Sequence, residues 1–291
     1  MSQVASRPLV SGIRIEVPAS SANLGAGYDV LAAALGLHLT VEVEETGRFR
    51  LATDMHLRRD RANLIVRAFE RVLPADRYEF RVSSTIPLSG GMGSSAAGVV
   101  AGLLAADHLV GGVEVLRLAT EIEGHPDNVA ASLLGGLVIC EGADVRRLEM
   151  PAELEAVLVI PNKPVRTSLA REAVPASVPI AAAVHNMALV AKLIAGLTTA
   201  DFELIAAGLG DHLHQPYRAH LYPRSTEIVA QAAAHGALGA TISGAGPTVL
   251  IWCRQGERPD LMRWLTEISS GWAEVLVVPF EPRGARVSAL A

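Results

Sequence analysis

The chain has 291 residues, which is enough for one large domain or two ordinary domains with a sizeable buried core. Half of the residues are hydrophobic and 19% are charged, and this composition excludes an intrinsically disordered chain. The formal net charge of −5 argues against a general nucleic-acid binder.

The first half of the chain predicts strands and helices around a polar loop. Residues 13–17 and 35–45 have the pattern of strands, with apolar and polar side chains alternating in the second, and a loop of small polar residues, 18–29, joins them. Further along we predict a helix at 63–73, a strand at 79–86, helices at 94–110, 113–122 and 127–134, and a strand at 136–140.

A charged segment that ends in proline, 142–151, is the best candidate for a domain boundary. Beyond it we predict strands at 156–160, 240–243, 248–253 and 274–278, and helices at 180–197, 201–213, 226–235 and 259–268. Helices over one face of each sheet indicate an α+β fold. The predicted domains are residues 1–150 and 151–291.

A turn rich in glycine and serine connects the strand at 79–86 to the helix at 94–110. Glycines let the backbone approach a ligand closely, and the free N–H groups and dipole of a helix start favour an anion. The turn contains no lysine, which excludes a Walker A loop. It forms either a tight packing turn or a phosphate site. The phosphate site would comprise Pro87, Leu88, Ser89, Gly90, Gly91, Met92, Gly93, Ser94, Ser95, Ala96 and Ala97.

The two cysteines and the apolar segments indicate in which cellular compartment the protein is found. Cys140 and Cys253 lie far apart in apolar, strand-like segments, so we expect buried thiols in a reducing compartment. Residues 1–11 lack an apolar core of the signal-peptide type. The run of small apolar residues at 96–106 is shorter than the about 20 residues that span a bilayer. We therefore predict a cytoplasmic protein with neither a membrane nor a nucleic-acid partner.

Four motifs follow one another at 18–29, 87–97, 123–130 (Glu-Gly-His-Pro-Asp-Asn-Val-Ala) and 243–248 (Ser-Gly-Ala-Gly-Pro-Thr). In this order and spacing they resemble the GHMP kinases, and most closely the homoserine kinases. The resemblance implies ATP- and Mg²⁺-dependent phosphorylation of the side-chain hydroxyl of L-homoserine, a step of threonine biosynthesis. It also implies an N-terminal mixed-sheet nucleotide-binding domain, a C-terminal ferredoxin-like α/β sandwich, an active site between them, and a homodimer.

The resemblance also suggests which residues bind the nucleotide and metal. The glycine- and serine-rich turn would wrap the triphosphate of ATP, and Ser95 would supply a hydroxyl ligand to Mg²⁺. Both Glu121 and Glu123 precede the His-Pro-Asp-Asn segment and could supply a carboxylate ligand, and we favour Glu121. Asn63 would contact the nucleotide, although asparagine is also a common N-cap.

An amino-acid acceptor needs groups for its carboxylate and its ammonium. By the same resemblance, Arg171 and Arg218 would bind the carboxylate, for which guanidinium geometry is suited. Asn23 and Asp29 would bind the ammonium, with turn stabilisation as the alternative role for both. The remaining residues assigned to the acceptor pocket are His125, Asn128, Thr167 and Gly244.

The identity of a general base is open at this point. Asp127 is a candidate base, yet homoserine kinases as a group are thought to work without a strong base. We therefore favour Asn128 as the contact to the hydroxyl, His125 beside it, and Asp127 as a helix cap. His212 and His214 have no evident third metal ligand, so we assign them structural roles. Two alternatives stay open: a GHMP kinase with a different hydroxyl acceptor, and a non-catalytic metabolite sensor.

Overall fold

The computed structural model describes residues 12–88, 90–256 and 258–290. Within these ranges the strands are β1 (Ile13–Ala22), β2 (Leu31–Glu45), β3 (Arg50–Thr53), β4 (Tyr78–Ser84), β5 (Leu137–Glu141), β6 (Asp144–Leu148), β7 (Leu154–Pro161), β8 (Gly239–Ile242), β9 (Val249–Arg254), β10 (Ala273–Pro279) and β11 (Arg286–Ala289). The α-helices are α1 (Leu64–Phe69), α2 (Ser94–Val110), α3 (Val115–Glu123), α4 (Asp127–Leu134), α5 (Thr167–Glu172), α6 (Ile180–Thr199), α7 (Phe202–Gly208), α8 (Gln215–Arg218), α9 (Pro223–Gln231) and α10 (Pro259–Ser269). Short 3₁₀ turns occupy Ala219–Leu221 and Ala232–His235.

The strands form two sheets. The seven-stranded sheet has the order β11-β1-β2-β4-β3, and β5 extends from β2 and pairs with β6. Its β3–β4 pair is parallel while β1 and β2 are antiparallel, so this sheet is mixed. The four-stranded sheet is antiparallel, in the order β10-β7-β9-β8. Two sheets with packed helices confirm the predicted α+β fold with two domains.

Helices pack on both sheets, and the main hydrophobic core contains side chains from strands of both. Helix α2 packs against β1 and β2, and its small side chains are buried along most of its length. This close packing brings the N-terminus of α2 to the end of β1, where the site lies. In the second sheet, Ile228 of α9 and Leu265 of α10 pack on the strands. Cys140 and Cys253 are buried free thiols, as predicted.

Three differences from the predicted elements have physical reasons. Strand β1 continues through residues 19–22, which we predicted as loop, because a register shift between Pro18 and Ala19 lets the pairing with β2 resume. The segment 142–151, given above as a boundary candidate, contains a strand that we did not predict, β6, which forms a hairpin with β5. Strand β11 pairs with β1, so after β10 the chain returns to the sheet of the predicted first domain.

Helix α6 is longer than the apolar run at 96–106 from which we predict the absence of a membrane span. By length and composition it could cross a bilayer, and 28% of its 18-residue apolar stretch is buried. Leu189, Leu193 and Leu197 form its buried side, and the helix packs against α7. A core helix of a soluble protein passes the same test, so one such helix is weak evidence for a membrane span.

Candidate active site

A cleft of about 600 Å³ lies where elements of the two domains meet. Its walls are the loop after β1, the start of α2, the turn between α3 and α4, helices α5 and α8, and the turn before β9. The predicted site residues that line it are Asn23, Asp29, Gly91, Met92, Gly93, Ser94, Ser95, Ala96, His125, Asp127, Asn128, Thr167, Arg171, Arg218 and Gly244. The fold thus brings all four sequence motifs to one place.

Several predicted residues do not line this cleft. Asn63 is the N-cap of α1, because its Oδ1 accepts from Ile65 N (2.9 Å) and its Nδ2 donates to Arg58 O (2.8 Å). Asn63 therefore has the capping role that the sequence offered as the alternative to a nucleotide contact. The others outside the lining are Pro87, Leu88, Gly90, Ala97 and Glu121, while Ser89 lies outside the described residues.

The N-terminus of α2 opens into the cleft without a side-chain cap. The first described bond within the helix is from Ala97 N to Gly93 O (2.9 Å). The amides of Ser94, Ser95 and Ala96 precede it, and all three residues line the cleft. A 17-residue helix with free N–H groups at its start favours a bound anion. This end of the cleft therefore suits phosphate.

Two glycines allow the turn before α2 to approach both domains. Gly91 and Gly93 have φ angles of +82° and +65°, in the left-handed region that favours glycine. A Cβ at Gly93 would collide with the Ser20 hydroxyl, and one at Gly91 would collide with the Ser243 carbonyl. The turn is therefore both a tight packing turn and the wall of an anion site, so the two sequence alternatives are not exclusive.

A buried hydroxyl network positions Asn128 and was missed from the sequence. Ser20 Oγ donates to Asn128 Oδ1 (2.9 Å), and Ser132 Oγ lies 3.2 Å from Ser20 Oγ. Both serines are fully buried. Because this network engages the amide oxygen, Asn128 is left to present its Nδ2 donor to the cleft.

Glu123, rather than Glu121, belongs to the cleft. Its Oε1 accepts from Ser95 Oγ at 2.5 Å, and both residues line the cavity. Glu121 instead accepts from Arg117 (2.6 Å) on the outer side of α3, with its side chain 47% exposed. The structure therefore places Glu123, and not the favoured Glu121, beside Ser95 in the cleft, because residues two positions apart face different sides of the helix.

Asp127 holds the histidine of its own motif. Its Oδ1 accepts from His125 Nδ1 (2.8 Å) and from Asn128 N (2.6 Å), and Asp127 is almost completely buried. Asp127 is the first residue of α4 and not its N-cap, yet its carboxylate accepts from an N–H of the first turn, so it serves the start of the helix and His125 together. The hydrogen bond that His125 donates to Asp127 raises the pKa of His125 above its ordinary value, although burial opposes the shift.

An ion pair crosses the cleft from the loop after β1 to α5. Arg171 Nη1 and Nη2 donate to the two carboxylate oxygens of Asp29, at 3.2 and 3.3 Å. Both side chains are partly exposed, at 42% and 38%. Asn23 lies beneath the pair and is buried, donating to Gly244 O (2.7 Å) and accepting from Asp29 N (3.0 Å). Asn23 therefore has the turn-stabilising role given above as its alternative.

Arg218 is a buried arginine with fixed geometry. Its exposure is 1%, its Nε donates to Ala170 O (2.7 Å), and its Nη1 lies 3.1 Å from His214 Nδ1. Its guanidinium also lies 5.1 Å from the centre of the Tyr28 ring. These contacts occupy Nε and Nη1, so Nη2 is the donor that we expect a ligand to meet. The cleft therefore combines an uncapped helix N-terminus with two arginines and a carboxylate.

Comparisons with known proteins agree with this geometry. The GHMP kinases N terminal domain matches residues 63–136, and the GHMP kinases C terminal domain matches residues 191–263. A homoserine kinase from Carboxydothermus hydrogenoformans is 38% identical over 289 residues, covering 92% of this chain and 94% of that protein. A homoserine kinase from Synechococcus sp. (strain CC9605) is 41% identical over 271 residues and covers 86% of each chain.

Solved structures share the whole fold. The crystal structure of homoserine kinase from Cytophaga hutchinsonii has a TM-score of 0.85 at 29% identity, covering 97% of this chain and 99% of that one. A mevalonate kinase has a TM-score of 0.68 at 16% identity, covering 93% and 99%, which is a likeness of fold alone. The similarity extends across both domains and therefore across the cleft.

Proposed function

The chain belongs to the GHMP kinase family and, within it, to the homoserine kinases, and from this membership we propose the roles of the residues that line the cleft. It is an ATP-dependent small-molecule kinase that transfers the γ-phosphoryl group to the side-chain hydroxyl of L-homoserine, a step toward threonine. The observation that carries the assignment of roles is the uncapped start of α2 in the same cleft as the Arg171–Asp29 pair.

The triphosphate binds at the start of α2. Phosphoryl transfer depends mainly on positioning and charge neutralisation. The chain has only two lysines, Lys163 and Lys192, and neither lines the cleft, so the neutralisation must come from backbone N–H groups, a metal ion and arginines. The amides of residues 94–96 would bind phosphate oxygens and hold the γ-phosphoryl group toward the acceptor.

Ser95 and Glu123 are suited to hold Mg²⁺. Their hydroxyl and carboxylate oxygens lie 2.5 Å apart at the edge of the phosphate site, and oxygen ligands together with phosphate are what Mg²⁺ prefers. The residues therefore fit the ion that the family implies. When bound, Mg²⁺ neutralises charge on the transferring phosphoryl group.

The acceptor is oriented by three kinds of contact. Arg171 and Arg218 would bind its carboxylate, and Asp29 would bind its ammonium. Asn128 Nδ2 would donate to the reacting hydroxyl oxygen, since its Oδ1 is held by Ser20. Thr167 and Gly244 complete the lining around this end of the cleft.

Release of ADP across a panel of acceptors tests the substrate. We expect turnover with L-homoserine to exceed turnover with serine, threonine and mevalonate. Serine has a shorter side chain, threonine has a secondary hydroxyl, and mevalonate lacks the ammonium that Asp29 would bind. Faster turnover with mevalonate would contradict the role of Asp29.

Asp127 orients its neighbours rather than acting as a general base. Asp127→Asn should keep kcat within about tenfold, because an amide oxygen can accept the same bonds from His125 Nδ1 and Asn128 N, whereas loss of a general base costs about 10²–10⁴-fold. Asp127→Ala is the matched comparison and should lower kcat further, since it removes both bonds. Steady-state kinetics distinguish the roles, and a loss above 10²-fold in Asp127→Asn would identify a base.

A homodimer is the assembly that the family resemblance implies, and the outer side of α6 suits an interface. Ile180, Val184 and Met187 are apolar and exposed, at 82%, 54% and 63%. Val184→Glu combined with Met187→Glu should convert the dimer to a monomer in analytical ultracentrifugation, because two charges would be buried at the contact. Arg146→Glu, on the exposed strand β6, is the control. A monomeric wild-type protein at micromolar concentration would contradict the proposal.

The cytoplasm is the location we propose. The homoserine kinases that this chain resembles act in metabolism, and Cys140 and Cys253 are free thiols that a reducing compartment preserves.

A further inference from the structure

His214 connects two parts of the acceptor site from inside the protein. Its side chain has no exposed surface and lies between the loop after β1 and the start of α8. Its Nε2 is 2.8 Å from Gly25 O, and its Nδ1 is 3.1 Å from Arg218 Nη1. The ring also stacks on Tyr28, with 5.1 Å between the ring centres. One imidazole thus contacts both the loop that carries Asp29 and the buried arginine.

The partners fix the protonation state of this ring. A carbonyl oxygen only accepts hydrogen bonds, so Nε2 carries the hydrogen that is donated to Gly25 O. A guanidinium only donates, so Nδ1 must be unprotonated and accept from Arg218. The ring is therefore neutral, in a single tautomer. A second proton would have to occupy Nδ1 and point at the guanidinium.

The charged groups around the ring agree with a neutral imidazole. The Asp211 carboxylate lies 3.4 Å from Nε2, while Arg218 faces Nδ1 and Asp29 is near. Burial lowers the pKa of His214 below its ordinary value, and Arg218 adds to this, whereas Asp211 opposes it. The Asp211 carboxylate is already engaged by the backbone N–H groups of residues 213–215.

The loop that His214 holds is conformationally demanding. Asn23, Leu24 and Asp29 have positive φ angles of 72°, 46° and 55°, a region that asparagine and aspartate tolerate but that is unfavourable for leucine unless its surroundings hold it. The carbonyl of Gly25 is fixed by His214 and that of Ala26 by Asn186 Nδ2 (2.8 Å). These two bonds hold the middle of the loop, from which Asp29 projects toward Arg171.

We propose that His214 is a positioning residue for the acceptor. It fixes the position of Arg218 relative to the loop that bears Asp29, so that the carboxylate and the ammonium of one amino acid are bound together. This inference rests on the proposed roles of Arg218 and Asp29. His214 does not touch the acceptor itself, because its ring is enclosed behind them.

Three substitutions of His214 test its hydrogen bonds to Gly25 O and to Arg218, together and one at a time. His214→Phe keeps a ring but removes both bonds, His214→Gln retains an amide donor toward Gly25 O, and His214→Asn retains an acceptor toward Arg218. In His214→Phe we expect the KM for homoserine to rise about 10- to 100-fold, the range for loss of a hydrogen bond to a charged group, with the KM for ATP within about twofold. His214→Gln and His214→Asn should each recover part of the loss.

The matched control is His212→Phe, because His212 is exposed on the same segment and does not line the cleft. It should leave both KM values unchanged. Homoserine binding without ATP, measured by calorimetry, supplies a second readout. Should His214→Phe fold poorly, His214→Gln and His214→Asn carry the test.

A purely structural role predicts a different result. In that case the variants would lose thermal stability while both KM values stay unchanged or rise together, and either outcome overturns the proposal. If wild-type protein itself fails to bind homoserine, the acceptor assignment fails and this inference with it. If wild-type protein binds and His214→Phe binds equally well, only the role of His214 is overturned.

Discussion

Replacing Glu123 with glutamine should lower kcat by about 10²- to 10³-fold, the loss typical of removing one group that stabilises transition-state charge. Glutamine keeps the size of the side chain and an oxygen that accepts from Ser95 Oγ, so the substitution removes mainly the negative charge. That charge is what we propose holds Mg²⁺ beside the triphosphate. Steady-state kinetics at saturating ATP measure the loss, and a titration with Mg²⁺ should show a higher concentration for half-maximal activity.

Glu121→Gln is the control for this experiment, since it makes the same chemical change two residues earlier. Glu121 pairs with Arg117 outside the cleft, so its replacement should change kcat by less than about twofold, as exposed ion pairs contribute little. A large loss in Glu121→Gln with normal activity in Glu123→Gln would reverse the assignment. Equal and small effects would remove both glutamates from the metal site.

Replacing Arg171 with alanine should raise the KM for homoserine by about 10²-fold, because two charge-assisted hydrogen bonds to the carboxylate are lost. The KM for ATP should remain within about twofold, since Arg171 lies on α5, across the cleft from the start of α2. Arg171→Lys should give an intermediate value, because an ammonium keeps the charge but loses the bidentate geometry.

Arg146→Ala provides the matched control for the arginine substitution. Arg146 is 75% exposed on β6 and pairs with Asp144, so its loss should leave both KM values unchanged. An equal rise of the two KM values in Arg171→Ala would indicate a general disturbance of the cleft. An unchanged KM for homoserine would remove Arg171 from the acceptor site.

Local patterns in the sequence predicted most of the fold and the members of the site. The glycine- and serine-rich turn was recognisable because a strand pattern precedes it and a helix pattern follows it. The choice between Glu121 and Glu123 was also readable from periodicity. The apolar positions Val115, Ala119 and Ile122 mark the inner side of α3, and at about 100° per residue Glu123 lies roughly 75° from the middle of that side while Glu121 lies roughly 125° from it.

Other features depend on partners that are distant in sequence. Ser20 reaches Asn128 across 108 positions, and neither residue carries a local sign of that hydrogen bond. Strand β11 pairs with β1 from the other end of the chain, which no local pattern could indicate. Asp127 has the residue type of an N-cap, and its carboxylate accepts both from Asn128 N at the start of α4 and from His125, a second contact that residue type alone does not indicate. At these positions tertiary contacts, and not local sequence preferences, therefore determine the structure.

Phosphorus NMR of a reaction containing the purified protein, Mg²⁺, ATP and L-homoserine tests the central claim most directly. The geometry of the cleft predicts one new phosphomonoester signal, that of O-phospho-L-homoserine, growing in step with ADP. Absence of this signal under conditions where the protein remains folded, or a faster reaction with an alcohol that lacks either the carboxylate or the ammonium, would contradict the account.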